Sequence, residues 1–493
     1  MTTARPSRNG PRGNRYWFHL PTFMGAIVVL GVLAAGAPAI LTAALIAVVY
    51  ILLGPRQAMQ GLAAIVLMKI LNGYIYRFPP YFGALAWGAL FLAAIRVLPK
   101  LNVKVFPVLG PLWFFVLIVA MLTAIGSGDP TISWFKLASF TVGATAAILA
   151  ALGLREREVQ LLRLQLPTVV LAIALASLLT VPFARISQST PGLFQGILNH
   201  SQTLGAFVAP LVTLLAGRFL FYRKEFRMAD GAALALGGAL IIASGTRTAA
   251  LAVLLGLLGT MVLGATGSRQ GRKEALKAAG LVLGIAGVVL VAALSSGGVR
   301  DLFNGFVFKQ TSEESVEEAF MASRGKGIES HWRNFLKEPL IGNGFGVYPG
   351  GRLLAKPEMF MGLPISAPVE KGFLPTAVLE EVGLIGAAAF LFMVAAMVRR
   401  AFRTGDRVWT GVLLTCLFLN LGEAMFFSMG GDGLLYWLWM GLAMRGTARL
   451  PGETSRQRPA PHLPTRVDPT LKAGAPLAAS GMRDGNAGAL PRP

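Results

Sequence analysis

The 493 residues are 54% hydrophobic and only 14% charged, with a mean hydropathy of +0.62, which excludes a soluble globular protein of this length and points to a membrane protein. Against 23 Asp and Glu stand 45 Lys and Arg, a formal charge of +22 that in a soluble chain would suggest a nucleic-acid binder. One cysteine, Cys416, and four histidines (His19, His200, His331 and His462) exclude an internal disulfide framework or a multi-thiolate metal centre and leave little for zinc, so neither metal nor cofactor is expected.

A bilayer core about 30 Å thick needs roughly 20 apolar residues per helix. Cutting the chain where charges or Pro/Gly clusters interrupt apolar runs gives candidate spans at about 19–35, 37–53, 60–76, 82–98, 104–127, 133–154, 164–184, 200–220, 230–245, 247–266, 276–296, 376–397, 408–428 and 432–446. The first pair is split only at Gly36-Ala37-Pro38 and the last span is short, so the expectation is an all-α polytopic protein with 12–14 transmembrane helices. Residues 1–18 carry Arg5, Arg8, Arg12 and Arg15 and read as a cytoplasmic N-terminus before an uncleaved first helix.

The connections holding Arg96, Lys100 and Lys104, then Arg155, Arg157 and Arg163, then Arg218, Arg223, Lys224 and Arg227, then Arg269, Arg272, Lys273 and Lys277, and finally Arg399, Arg400, Arg403 and Arg407 all fall on one side. Lys/Arg bias in short loops makes that side cytoplasmic. The positive excess thus becomes an orientation signal, and no nucleic-acid partner is expected.

Spans 1–11 occupy 19–296, and the same assignment puts the one long connection, 297–375, outside. In it, Ser312-Glu313-Glu314-Ser315 marks a helix start, and Ile328, Trp332 and Phe335 share one face of an amphipathic stretch. Residues 376–446 hold the last three spans, and 447–493, rich in Pro, Arg, Gly and Ala, read as a disordered cytoplasmic tail. No fixed-period repeat is visible.

Ionisable groups at membrane depth are costly and mark function by default. Lys69 and Lys136 can equally be structural, reaching an interface or a carbonyl. Arg185, His200, Gln202, Arg247, Glu380, Glu381 and Glu423 gather at outer ends of spans, where one outward-facing cavity would unite them. An Arg-rich cavity beside lipid suits a lipid-linked diphosphate, because guanidinium groups bind phosphate oxygens bidentately and stay charged. Carboxylates there would take a proton from an attacking hydroxyl while arginines stabilise the departing diphosphate in place of a metal. Taken singly, each of these residues is better explained by a structural role, except Arg247, which stands in a turn between two apolar helices with no carboxylate near it in sequence. Gly342-Asn343-Gly344-Phe345-Gly346 reads as a glycine turn, since it lacks the Lys-Ser/Thr ending of a phosphate loop. His331 reads as solvated on the polar face of its helix.

Four short runs in order carry a family resemblance: Gly196-Ile197-Leu198-Asn199-His200-Ser201-Gln202-Thr203-Leu204-Gly205, Ser244-Gly245-Thr246-Arg247-Thr248-Ala249-Ala250, Trp332 through Pro339-Leu340-Ile341-Gly342-Asn343-Gly344-Phe345-Gly346, and Glu381-Val382-Gly383-Leu384-Ile385-Gly386. Over roughly 185–390 the chain resembles the O-antigen ligase and O-antigen polymerase (Wzy-type) superfamily, nearest its exopolysaccharide polymerase-like branch. The resemblance implies a GT-C-like glycosyltransferase of the bacterial inner membrane with a large periplasmic loop and cytoplasmic termini. It would transfer glycan from an undecaprenyl-diphosphate-linked oligosaccharide to a sugar acceptor, without metal, among membrane lipids and beside a flippase and a chain-length regulator.

By that resemblance Arg247 matches the arginine set against the donor diphosphate, His200 and Gln202 fall at a substrate-binding helix start, and Arg185 matches a second arginine, with Arg333 added from the loop. The family's histidine before the Glu-x-Gly-x-x-Gly helix is absent. Pro368-Val369-Glu370-Lys371-Gly372-Phe373-Leu374-Pro375 stands there instead, so Glu370 is the candidate base and Lys371 a contact to phosphate or sugar, the alternative being an ion pair that caps the loop. A ligase acting on a lipid A-core acceptor, or a flippase or secondary transporter for the same lipid, are the competing readings. Against transport stand the missing repeat and the polar groups at helix ends rather than the midplane.

Overall fold

The computed structural model describes residues 46–75, 82–101, 105–190, 192–266, 321–348, 359–360, 363–364, 371–429 and 431–445, with short helical pieces between 272 and 318. The first predicted span, most of the second, much of the one at 276–296, the helix start at Ser312–Ser315, Glu370 and the tail lie outside these residues. The chain divides into a unit ending at Thr447 and a C-terminal unit, Ala448–Pro493, and everything described belongs to the first. Its helices are α1 (Pro55–Lys69), α2 (Phe82–Val97), α3 (Phe106–Gly126), α4 (Pro130–Leu152), α5 (Glu156–Leu178), α6 (Ser201–Phe221), α7 (Met228–Ala243), α8 (Arg247–Ala265), α9 (Lys326–Phe335), α10 (Leu374–Arg403), α11 (Arg407–Phe418) and α12 (Asp432–Arg445). Strands are confined to two minimal antiparallel pairs, Gln188–Thr190 with Leu193–Phe194 and Met359–Phe360 with Leu363–Pro364. Among the described residues seven helices are long and apolar enough to cross a membrane, and the protein is an all-α multi-pass membrane protein.

The polar connections sort to two ends of the bundle as their charges predict. At one end Arg163 pairs with Asp406 at 2.8 Å, donates to Leu442 O and stacks 4.4 Å from Trp409. There too Arg445 donates to Leu154 O and Arg400 to Met444 O, so the connections assigned inside are tied to one another. At the other end the α3–α4 turn donates through Gly128 N–H to Asn343 O, and the α7–α8 turn donates through Thr246 Oγ to Ser201 O.

Two late spans differ from their expected form. α12 has only 14 residues, about 21 Å, yet Gly433 through Met444 are all buried, so protein covers it and thinning of the bilayer is not required. The span predicted at 408–428 is helical only through Phe418 and a 3-10 turn at Leu419–Leu421, after which the backbone is irregular. That backbone is tolerated because it is buried and hydrogen-bonded: Asn420 Oδ1 accepts from Phe426 N–H at 2.7 Å, and Phe426 O accepts from Trp437 Nε1 at 2.8 Å.

α10 is broken at Gly383, whose φ of 61° and ψ of −168° suit glycine alone. The turn after α9 fills the break. Asn343 and Gly344 N–H donate to Glu380 O and Glu381 O at 2.9 and 3.0 Å, while Leu384 and Ile385 N–H donate to Pro339 O and Leu340 O at 2.9 and 3.2 Å. Gly342 lies within this crossing with a φ of 73°, and a methyl group there would overlap the Glu381 backbone. The same turn drives Phe345, 1% exposed, into the bundle core, with ring centroids 5.0 Å from Phe427 and 6.3 Å from Phe140.

Candidate functional site

The break in α10 presents two adjacent buried glutamates at the end of the bundle that carries the long connection. The Glu381 carboxylate receives Lys136 Nζ from α4 at 2.8 and 2.9 Å, lies 3.3 Å from Lys371 Nζ, and accepts Gly346 N–H at 2.9 Å. Glu380 accepts Asn334 Nδ2 at 2.7 Å on one oxygen, and its other oxygen lies 2.8 Å from Lys371 Nζ and 3.7 Å from His331 Nε2. Lys371 also donates to Val347 O at 2.9 Å, and the Lys136 ammonium sits 4.6 Å from the Phe345 ring centroid. Two carboxylates and two ammoniums balance, which is the condition for keeping charges away from water without several kcal/mol of uncompensated desolvation.

His331 completes the cluster from α9. His331 Nδ1 and Thr376 Oγ are hydrogen-bonded at 3.0 Å, the donor depending on the tautomer, and Nε2 faces Glu380 at 3.7 Å. Burial pulls the imidazole below its ordinary pKa, outweighing the opposite pull of Glu380. His331 therefore belongs to the buried face with Asn334 and Phe335, and the expectation of a solvated histidine is overturned. Ile328, Trp332 and Phe335 share one side of α9 as expected, with the Trp332 and Phe335 ring centroids 5.1 Å apart, but that side is only partly buried and Trp332 is 47% exposed. The reason is the Glu380 carboxylate, which draws the two hydrogen-bonding side chains of α9 inward.

Beside this cluster a second one forms. Arg324 Nη2 meets Glu423 Oε1 at 2.9 Å, and Gly372 sits against the Arg324 guanidinium. Gly422 packs so closely on Thr248 that a methyl group would overlap it. The segment after α11 thereby brings the first turn of α8, at Thr248, together with Arg324 and with Gly372, residues spread over more than a hundred positions of sequence.

The predicted site residues divide accordingly. Arg247 is half-buried at the first position of α8, and His200 precedes α6, its Nδ1 accepting Gln202 N–H at 3.2 Å. The α6 and α8 starts are neighbours, since Thr246 reaches Ser201 and Gly205 backs onto Thr246. Arg185 is exposed on a one-turn helix, Ala184–Ser187, pinned through Ile186 O to Asn72 Nδ2 at 2.6 Å and Gln195 Nε2 at 2.8 Å. Arg333 is exposed and pairs with Glu329 on its own helix at 3.6 Å, outside the buried cluster. Lys371 is buried against Glu380 and Glu381, and Lys136 is a carboxylate partner rather than a snorkelling side chain. Lys69 ends α1 and lines an apolar crevice with Trp87 and Met429. Arg324 and Asn334 were not singled out from sequence. Glu423, an acid near the end of an apolar span, was the signal that a cation had to lie nearby.

Among the described residues no group of three His, Cys, Asp or Glu side chains is placed to hold a metal ion. Fold and site define a multi-pass α-helical membrane protein with a charge-balanced polar cluster at one end. No model of a known protein family matches the chain, and no curated protein sequence matches it.

Proposed function

We propose that the protein is a glycosyltransferase of the inner membrane, GT-C-like with 12–14 spans, that polymerises polysaccharide repeat units from an undecaprenyl-diphosphate-linked donor at the periplasmic face. The observation that carries this reading is the meeting of the first turn of α8, at Thr248 beside Arg247 in sequence, with the Arg324–Glu423 pair and the Gly372 segment at one bundle end. Guanidinium groups there would hold the diphosphate and stabilise it as it departs. Glu370, adjacent to Lys371 in sequence, is the proposed base for the acceptor hydroxyl. Polymerase and ligase share this donor chemistry and differ only in acceptor.

The test is reconstitution in vesicles with a purified undecaprenyl-diphosphate oligosaccharide, without ATP or added metal. Chain growth is the expected result, abolished by Arg247→Ala and by Glu370→Gln. A correctly inserted Arg247→Ala protein with full activity would remove the arginine from the mechanism. Transbilayer movement of the donor without elongation would make the protein a flippase instead.

A further inference from the structure

α9 buries one face and exposes an apolar flank. At about 100° per residue, His331, Asn334 and Phe335 share the buried face, Trp332 and Leu336 lie together beside it, and Glu329, Arg333 and Lys326 lie beyond them. Trp332 and Leu336 are 47% and 59% exposed, and so is Leu340 at 59%. The bond from Ile385 N–H to Leu340 O ties that strip to α10, where Leu384 and Ile385 carry it on towards the exposed Leu391 and Phe392. α10 is long and apolar enough to cross a membrane, so this outward face meets lipid. From Leu384 to Val398, the last residue before Arg399, Arg400 and Arg403, the helix continues for about 15 residues, or about 22 Å, somewhat less than the roughly 30 Å hydrocarbon core. Leu384, and Leu340 beside it, therefore stand in the outermost part of that core.

We infer that the Trp332–Leu336–Leu340 flank of α9 and its following turn is a bilayer-interface anchor, seated at the boundary of acyl chains and headgroups with Glu329, Arg333 and Lys326 turned to water. Three features select lipid as the occupant: the strip runs on through Leu340 to the lipid-facing surface of α10, it lies near the depth where the core ends, and it places a tryptophan there with the charged flank of Arg333 and Lys326 next to it. The anchor bears on the buried cluster, because the opposite face of the same helix holds Glu380 through Asn334 and faces it with His331. The bilayer thus becomes one wall of the arrangement that fixes Glu380. This inference rests on the multi-pass fold and not on the glycosyltransferase reading.

The test places a nitroxide label on Trp332→Cys, Leu336→Cys, Arg333→Cys and Lys326→Cys variants of the full chain, in phosphatidylethanolamine–phosphatidylglycerol vesicles. The native Cys416 is buried and serves as the unlabelled background. Relaxation by oxygen, which concentrates in lipid, is compared with relaxation by a water-soluble nickel chelate. Labels at 332 and 336 are expected to show an oxygen-to-nickel ratio severalfold above those at 326 and 333. Equal ratios at all four sites would overturn the anchor, and so would shielding of 332 and 336 from both reagents, which would mean that a second copy or another protein covers the strip.

Discussion

Replacing Glu381 by glutamine removes the charge that two lysines share. Lys136 Nζ loses a two-oxygen acceptor at 2.8 and 2.9 Å, and Lys371 loses one of its two carboxylate partners while keeping Glu380 at 2.8 Å. Breaking a buried pair from one side costs about 3–5 kcal/mol. Lys136 retains 19% of its side-chain exposure, which places the expected loss at the lower end, about 3 kcal/mol. At 1.4 kcal/mol per tenfold, the opening equilibrium rises by about a hundredfold. Cys416, buried and the sole cysteine, supplies the assay, because a thiol-reactive dye reaches it only when the bundle opens, and when reclosing is fast its labelling rate follows that equilibrium. Lys136→Met combined with Glu381→Gln removes one charge of each sign and should recover more than half of the loss. Labelling of Glu381→Gln at the parental rate, or a double variant as unstable as the sum of the two singles, would refute the reasoning.

Gly383→Ala should destabilise by about 3 kcal/mol in the same assay, since its backbone region is nearly closed to side chains and the new methyl would overlap Leu340; Gly238→Ala, with open space around it inside α7, should instead stabilise by about 0.5–1 kcal/mol. A double-mutant cycle of Arg324→Ala with Glu423→Gln, read by thermal unfolding in detergent, should return a coupling of about 1 kcal/mol, the pair being 23% and 11% exposed. His331 is held neutral below the ordinary imidazole value, so on acidification the unfolded chain takes up a proton that the folded chain refuses. Stability should fall as pH drops through and below about 6.5. Comparing unfolding at about pH 7.5 and about pH 5.5, the His331→Gln variant should lose less stability than the parent.

Hydropathy and charge are local properties, and what depends on them was legible. The runs at 104–127, 133–154, 200–220 and 247–266 became α3, α4, α6 and α8 with ends shifted by a few residues at most. The basic loops predicted a sorting of connections that Arg163–Asp406 and the Arg445 bond to Leu154 O bear out. Pairings across the chain were not legible. Lys136 and Glu381 are 245 positions apart, so Lys136 read as an isolated lysine near an interface. In α9 the order of residues showed an amphipathic helix, yet which face turned inward depended on Glu380, a partner 46 positions beyond Asn334. The span at 408–428 read as one helix because its residues are mostly apolar, whereas the side chain that ends the helix, Asn420, acts through its bond to the Phe426 backbone.

The crossing at Gly383 also sets an order of assembly. Residues 338–344 are synthesised before α10, and the carbonyls of Pro339 and Leu340 must be in place to accept from Leu384 and Ile385. The long connection and the entering end of α10 must therefore reach the same side of the membrane before either is complete. Until then Glu380 and Glu381 lack the backbone donors of Asn343, Gly344 and Gly346. A chain whose connection ended on the other side of the membrane would leave the break in α10 unfilled and Glu380 without Asn334 and Lys371, an internal check on correct insertion.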